Sequence, residues 1–175
     1  PGLLSNDATP SPAATIPAPP GLIPGTYFRY YSSVDRIGLL DSGFLYLESP
    51  ESPMHVAGLN LFRFPPRVHE RTFMARIDAT YRTGDELRKP FGHRVAHGML
   101  GRFGPLYWEH DPDLDLDYHV RQSALPKPGG DRELFSLVSR LHSTLLDRSR
   151  PLWEVHLIEG LRNRQFAVYT KLHHA

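Results

Sequence analysis

The sequence predicts a mixed α/β fold in which helices pack on a mixed sheet. Two amphipathic patterns predict helices over 69–83 and 131–146. Two β-rich runs, 153–159 and 165–172, predict an antiparallel hairpin with a five-residue connection. Helices and hairpins in this order are typical of α+β or mixed-sheet α/β domains. A chain of 175 residues is long enough to bury one core of this kind.

The composition excludes several classes of protein. The chain has 20 Lys and Arg residues against 19 Asp and Glu, a net charge of +1, so we expect no nucleic-acid partner. Cysteine is absent, which excludes disulfide scaffolds, thiolate zinc sites and cysteine nucleophiles. No apolar run approaches the roughly 18 residues of a membrane-spanning helix. These observations favour a cytoplasmic protein.

The first part of the chain differs in composition from the rest. Seven of the 17 prolines lie at or before Pro24, and residues 1–28 carry a single charged side chain, Asp7. Such a segment buries too little apolar surface to offset the entropy of ordering, so it is predicted to be a disordered or extended linker. The aromatic and basic run at 26–34 is predicted to be an early strand or packing arm, with a membrane-interface anchor as the alternative.

The first predicted elements are a short helix, a strand and a longer helix. Asp41 is placed to cap a helix over 41–48, and residues 54–64 are predicted to form a strand that ends at Pro65-Pro66. The helix over 69–83 has four apolar side chains at helical spacing, namely Phe73, Met74, Ile77 and Tyr81.

The middle of the chain predicts two strands, a loop and a helix. Residues 106–108 are predicted to form the first strand. Residues 113–120 alternate with a period of two, with three Asp residues and His119 on one side and apolar residues on the other, and predict the second. The Pro and Gly residues of 126–130 predict a loop. Asp131 then begins the helix that ends near Leu146.

Most candidate metal ligands have a simpler structural interpretation. The acidic run Asp111–Asp117 lacks the Gly and Glu of a calcium loop at the required positions, so a solvated acidic strand face is predicted. His93 and His97 are four residues apart, but nearby Gly and Pro residues argue against a helix, and the HExxH glutamate is missing. Loop or surface histidines are predicted there, and no metal site is expected.

Two other polar groups also have a structural interpretation. His55 lies near the start of a predicted strand and is expected to be a core or edge histidine. Arg148, Arg150 and Glu154 flank the segment Pro151-Leu152-Trp153. They predict an ion-paired turn around a buried Trp153, with a ligand site as the alternative.

The pair His173-His174 directly follows the last β-rich run. A strand end presents a side chain from a rigid element, and such a position suits a general base. The spacing alone leaves a functional and a structural role open.

Four collinear stretches resemble one family of enzymes. They are LLDSGFLYLESPESPMHVAGLNLF (39–62), DLDLDYHVRQSALPKPGG (113–130), LLDRSRPLWEVHLIEGL (145–161) and QFAVYTKLHHA (165–175). As a set they are similar to the N-terminal part of bacterial wax ester synthase/acyl-CoA:diacylglycerol acyltransferases. Residues 1–38 lie outside the resemblance, which gives a linker over 1–38 and an acyltransferase domain over 39–175.

The resemblance implies a fold like that of chloramphenicol acetyltransferase and condensation domains, in which two related domains enclose the active site in a channel. The family signature is His-His-x-x-x-Asp-Gly, and this sequence ends at Ala175, the first x. The Asp, which orients the loop through an ion pair with an Arg, and the Gly are therefore expected in the missing C-terminal half. This chain would form one wall of the channel.

The implied reaction is the transfer of a fatty acyl group from acyl-CoA to diacylglycerol or a long-chain alcohol, with no cofactor. His174 would be the general base that takes the hydroxyl proton, and His173 would have a supporting structural role. Substrates of this kind imply peripheral contact with membranes or lipid droplets. The alternatives are a condensation-type domain that uses a carrier-protein thioester, and a non-catalytic binding or assembly fragment.

Overall fold

The computed structural model describes residues 35–83, 87, 89–101 and 104–175. In chain order the elements are β1 (Asp35–Arg36), α1 (Leu39–Leu47), β2 (His55–Arg63), α2 (Glu70–Arg82), β3 (His93–His97), β4 (Leu106–His110), α3 (Leu116–His119), β5 (Val120–Ala124), α4 (Asp131–Ser143), β6 (Trp153–Leu161) and β7 (Gln165–His173). The predicted mixed α/β class is confirmed.

The elements form two sheets. The larger has the order β2-β7-β6-β5, with antiparallel pairs except for the parallel pair of β5 and β6. The smaller sheet is antiparallel and has the order β1-β4-β3. In the larger sheet the register pairs His55 with His173 and Arg63 with Gln165. The start of β2 therefore lies beside the end of β7.

Alternation along β6 and β7 gives the larger sheet two buried faces. One face packs against α2 and contains Val155, Leu157, Phe166 and Val168 together with Met74. The opposite face packs against α4 and contains Ile158, Ala167 and Tyr169 together with Leu134. A helix on each face explains why both strands are apolar along most of their length.

The smaller sheet and α1 form a separate apolar cluster. Ile37, Leu45 and Leu106 are buried there against Leu146 and Leu152, which come from the segment between α4 and β6. The last residues of the predicted 1–38 linker are thus part of the folded domain, because β1 begins at Asp35 and Ile37 is buried. The predictions for residues 1–28 and for 26–34 lie outside the described residues.

The strand predicted over 113–120 is wrong. The Asp115 carboxylate accepts backbone N–H groups from Asp117 at 3.0 Å and Tyr118 at 3.2 Å, and so caps α3. The strand begins only at Val120. The acidic face is not a strand face, and His119, assigned to it by the alternation, is fully buried.

Several boundaries also differ from the prediction. Helix α1 begins at Leu39, with Gly38 rather than Asp41 at its N-cap, and α4 ends at Ser143. His93 and His97 lie on a strand, β3, and not in a loop.

The predicted five-residue connection of the hairpin is shorter in the structure. A bulge lies between Ile158 and Leu161, and Gly160 adopts a φ of +82°, which strongly favours glycine. Strand β6 therefore continues through Leu161, and the connection is 162–164.

None of the helices in the described part of the chain has the length and apolar character needed to cross a membrane.

Candidate active site

The two histidines at the end of β7 have opposite environments. His173 is the last residue of the strand and is 3% exposed, whereas the side chain of the next residue, His174, faces solvent. Their backbones are fixed on both sides, because the His173 N–H donates to the Leu152 carbonyl at 3.0 Å and the His174 N–H donates to the Met54 carbonyl at 2.9 Å. The end of β7 therefore buries the His173 ring and leaves the His174 ring exposed to solvent.

The His173 ring has a defined hydrogen-bond arrangement. Its Nδ1 accepts the Ala175 N–H at 3.0 Å, so a neutral ring carries its hydrogen on Nε2. That Nε2 lies 3.5 Å from Oε1 of Glu48. Burial lowers the pKa of His173, and the negative charge of Glu48 offsets this effect only in part. We therefore treat the His173 ring as neutral near pH 7.

The His174 ring is oriented by an aromatic contact. It stacks on Phe44 of α1, with the ring centroids 5.0 Å apart and an angle of 24° between the planes. The stacked face is covered by Phe44, while the side chain as a whole remains exposed. An accessible imidazole on a rigid strand end can accept a proton from a bound molecule.

Glu48, directly after α1, is a buried acid at this site that the sequence analysis did not single out. Its side chain is 1% exposed. Oε1 accepts the Met54 N–H at 3.2 Å, and Oε2 accepts two hydrogen bonds from Arg148, from Nε at 3.2 Å and from Nη2 at 2.9 Å. A glutamate in the run LESPESPMH has no distinctive local pattern, and its side-chain partners, Arg148 and His173, are distant in the sequence. No sequence signal distinguishes it from the exposed Glu51.

The C-terminal end of α4 packs beside the histidine pair, and buried donors satisfy its carbonyl groups. The His55 Nε2 lies 2.8 Å from the carbonyl oxygen of His142, to which it can donate. The Lys171 Nζ donates to the carbonyls of Leu141 and Thr144, both at 2.9 Å. Unpaired carbonyls at a helix end favour positive charge and N–H donors. His55 is buried on the edge strand β2, in agreement with the prediction of a core or edge histidine.

The segment before Trp153 is ion-paired, as predicted, but Glu154 is not a partner of its arginines and instead lies beside His156 and Lys171. Arg148 pairs with Glu48, and Arg150 lies 3.2 Å from Asp115. The Trp153 side chain is nearly buried, and its Nε1 donates to the Phe91 carbonyl at 2.8 Å. The turn thus connects α1 and the loop before α3 to the core.

The remaining candidate ligands do not form a metal centre. His93 packs edge to face on His110 of the smaller sheet, with ring centroids 5.5 Å apart. In residues 35–83, 87, 89–101 and 104–175, no group of three or more His, Asp or Glu side chains is arranged to hold a metal ion.

Residues 37–175 match the sequence profile of the wax ester synthase/diacylglycerol acyltransferase catalytic domain. The chain is 49% identical over 135 residues to a Mycobacterium tuberculosis protein named "Probable diacyglycerol O-acyltransferase tgs2", an alignment that covers 77% of this chain and 29% of that relative. It is 41% identical over 136 residues to "O-acyltransferase WSD" of Acinetobacter baylyi, covering 78% of this chain and 28% of the relative. The chain therefore spans less than a third of these relatives.

Solved structures show the same relationship. The wax ester synthase/diacylglycerol acyltransferase of Marinobacter aquaeolei VT8 is 47% identical and superposes with a TM-score of 0.71, over 80% of this chain and 34% of that one. The starter condensation domain of rhizomide synthetase RzmA superposes with a TM-score of 0.56 at 12% identity, over 82% of this chain and 34% of that one, and shows a shared fold only. The profile match over most of the chain, together with these identities, shows that the chain belongs to the wax ester synthase/diacylglycerol acyltransferase family.

Proposed function

We propose that the protein containing this chain transfers a fatty acyl group from acyl-CoA to diacylglycerol or to a long-chain alcohol, with His174 as the general base. The observation that carries the proposal is the contrast between the two histidines. His174 is exposed and held by Phe44, whereas His173 is buried with both ring nitrogens directed into the protein. Of these two rings, that of His174 is accessible to a bound molecule, which supports its assignment as the base.

The proposed reaction needs one base. The thioester is already activated, so the difficulty is to make a neutral alcohol nucleophilic near pH 7. His174 takes the hydroxyl proton as the alcohol oxygen attacks the thioester carbonyl carbon. The tetrahedral intermediate collapses with loss of the C–S bond, and the imidazolium returns the proton to the CoA thiolate. We expect the donors that stabilise the oxyanion to lie in the rest of the protein.

We also propose which parts of the protein form the substrate channel and its apolar entrance. The relatives are about three times longer than this chain, and we propose that their remaining part supplies the opposite wall of the substrate channel. Helix α1, which stacks Phe44 on His174, exposes Leu39, Leu40 and Leu47. Apolar side chains beside the base suit lipid substrates. They support action in the cytoplasm at the surface of membranes or lipid droplets.

The test is an acyl-transfer assay on the full-length protein that carries this chain. Radiolabelled acyl-CoA is offered with diacylglycerol, a long-chain alcohol or a long-chain amine, and the lipid products are separated. We expect labelled ester from at least one hydroxyl acceptor and little amide. Labelled amide alone would instead support a condensation-type reaction, and no product with any acceptor would contradict the proposal.

His174→Ala tests the assignment of the base. It should lower kcat/KM by about 10²–10⁴-fold, the usual contribution of a general base, with the fold retained. His97→Ala is the matched control, because His97 is an exposed histidine on β3. Retention of most of the activity by His174→Ala would show that another group is the base.

A further inference from the structure

Among the described residues, the polar groups that face the Glu48 carboxylate are all hydrogen-bond donors. The four groups that face its carboxylate are the Met54 N–H, the Nε and Nη2 of Arg148, and the Nε2 of His173. The first three donate hydrogen bonds to Glu48, whereas the buried His173 Nε2 has no hydrogen-bond partner and lies 3.5 Å from Oε1, the carboxylate oxygen that faces it. A buried carboxylate is costly unless its oxygens accept hydrogen bonds, and Arg148 supplies the countercharge.

Two separate sets of contacts connect Glu48 to the turn that contains His174. The first passes through one residue, Met54, whose N–H donates to Glu48 and whose carbonyl accepts the His174 N–H. The second passes through the His173 ring, whose Nε2 faces Glu48 and whose Nδ1 accepts the Ala175 N–H. Both sets of contacts end on backbone groups next to the Cα of His174.

We infer that Glu48 is the positioning residue of the proposed active site: it holds His173 in the Nε2–H tautomer and fixes the backbone of His174 and Ala175. The inference rests on the proposed function for its catalytic consequence, but the geometry of the turn is independent of it. Glu48 acts through His173 and Met54 and does not touch the substrate.

The chemistry requires a carboxylate rather than an amide. A glutamine at position 48 has one accepting oxygen and one NH₂ group, which only donates. Whichever way the amide is turned, its NH₂ group would face donors, either Arg148 on one side or Met54 and His173 on the other. The His173 ring could relieve its own part of the second conflict by moving its hydrogen from Nε2 to Nδ1, but the Met54 N–H would still face the amide NH₂ group, and Nδ1 would no longer accept the Ala175 N–H.

The experiment compares Glu48→Gln and Glu48→Asp with the wild type in the full-length protein. The control is Glu109→Gln, which removes a carboxylate that pairs with Arg94 in the smaller sheet. In Glu48→Gln we expect kcat to fall at least tenfold while the KM for acyl-CoA changes less than twofold. Glu48→Asp keeps the charge and should recover part of kcat, and Glu109→Gln should match the wild type. A Glu48→Gln protein that is folded and has wild-type kcat would overturn the inference.

The tautomer of His173 provides a second test, because replacing a residue with only a structural role would not change it. In protein labelled with ¹⁵N at histidine, wild-type His173 should show a protonated Nε2 and an unprotonated Nδ1 at neutral pH, and Glu48→Gln should shift it toward Nδ1–H. A wild-type His173 in the Nδ1–H form would overturn the inference even if no variant folded. A changed tautomer in a protein whose wild type makes no ester would refute the proposed function and leave the positioning role standing.

Discussion

The Nζ of Lys171 lies 3.5 Å from Oε2 of Glu154 across the β6–β7 pair, and neither side chain is accessible to solvent. The same carboxylate oxygen lies 3.0 Å from Nε2 of His156. Burial alone would raise the pKa of Glu154, but the hydrogen bond with His156 and the charge of Lys171 outweigh it, and the pKa is lowered. Glu154 is therefore ionised in the core, and Lys171 connects it to the end of α4.

Lys171→Met should strongly destabilise the protein. It removes the lysine countercharge of the buried Glu154 carboxylate, which keeps only its hydrogen bond with His156 among the described residues, and it removes the donor to the carbonyls of Leu141 and Thr144. Breaking one side of a buried ion pair typically costs about 3–5 kcal/mol, which denaturant unfolding would measure. Lys127→Met, on the exposed loop before α4, should change the free energy of unfolding by less than about 0.5 kcal/mol. A loss below about 1 kcal/mol in Lys171→Met would show that the ion pair is energetically unimportant.

Three buried histidines predict a loss of stability in mild acid. Burial lowers the pKa values of His55, His119 and His173 below 6.5. Above about pH 6.5 these rings are neutral in both the folded and unfolded states, so their contribution to stability is fully present. As the pH falls below 6.5 the unfolded chain binds protons first, and stability falls until the pH reaches the folded pKa values.

Denaturant unfolding between pH 7.5 and 5 would measure this effect. Each such histidine contributes up to about 1.4 kcal/mol per pH unit. His119→Gln should lower the slope by about one such contribution. A free energy of unfolding that stays constant down to pH 5 would contradict the prediction.

Two glycines should respond to alanine in opposite directions. Gly129 has a φ of +70°, and an added Cβ would lie 2.0 Å from the carbonyl oxygen of Gly160. Gly129→Ala must therefore displace the loop before α4 and destabilise the protein by more than about 1 kcal/mol. Gly43 lies inside α1 with no atom within 4 Å of an added Cβ, so Gly43→Ala should stabilise by up to about 1 kcal/mol. Thermal unfolding measures both, and equal effects would contradict the argument.

The long elements with a periodic apolar pattern could be predicted from the sequence, but the short helix α3, which begins at a side-chain cap, could not. The predicted helix over 69–83 and the hairpin strands have long apolar patterns that only one secondary structure fits, and they are present as α2, β6 and β7. The run 113–120 alternates just as clearly. There the Asp115 side chain accepts two backbone N–H groups, and these local hydrogen bonds favour a helix start over the strand that the alternation predicts.

The candidate site also contains residues that the sequence could identify and residues that it could not. The resemblance to a family pointed to His173 and His174, which are adjacent in the sequence. Glu48 directly follows α1, and the groups around it come from the residue before β2, the end of β7 and the loop after α4. Such a convergence depends on the tertiary structure, and it has no pattern within any one segment. The opposite exposures of the two histidines likewise follow from how the strand end packs on Glu48.

The contact between Phe44 and His174 predicts a loss of turnover that is separate from stability. Phe44→Leu keeps an apolar side chain but removes the ring that stacks on the imidazole at 5.0 Å. Aromatic stacking is worth about 0.5–1.5 kcal/mol beyond burial, so loss of the orientation should lower kcat by about two- to tenfold. The KM for acyl-CoA should stay within about twofold of wild type, because the proposed role of Phe44 is to orient His174 and not to bind the thioester. Phe135→Leu, on the exposed side of α4, is the matched control and should leave both constants unchanged. Steady-state kinetics on the full-length protein would decide, and a Phe44→Leu variant with wild-type kcat would show that the stack does not orient His174.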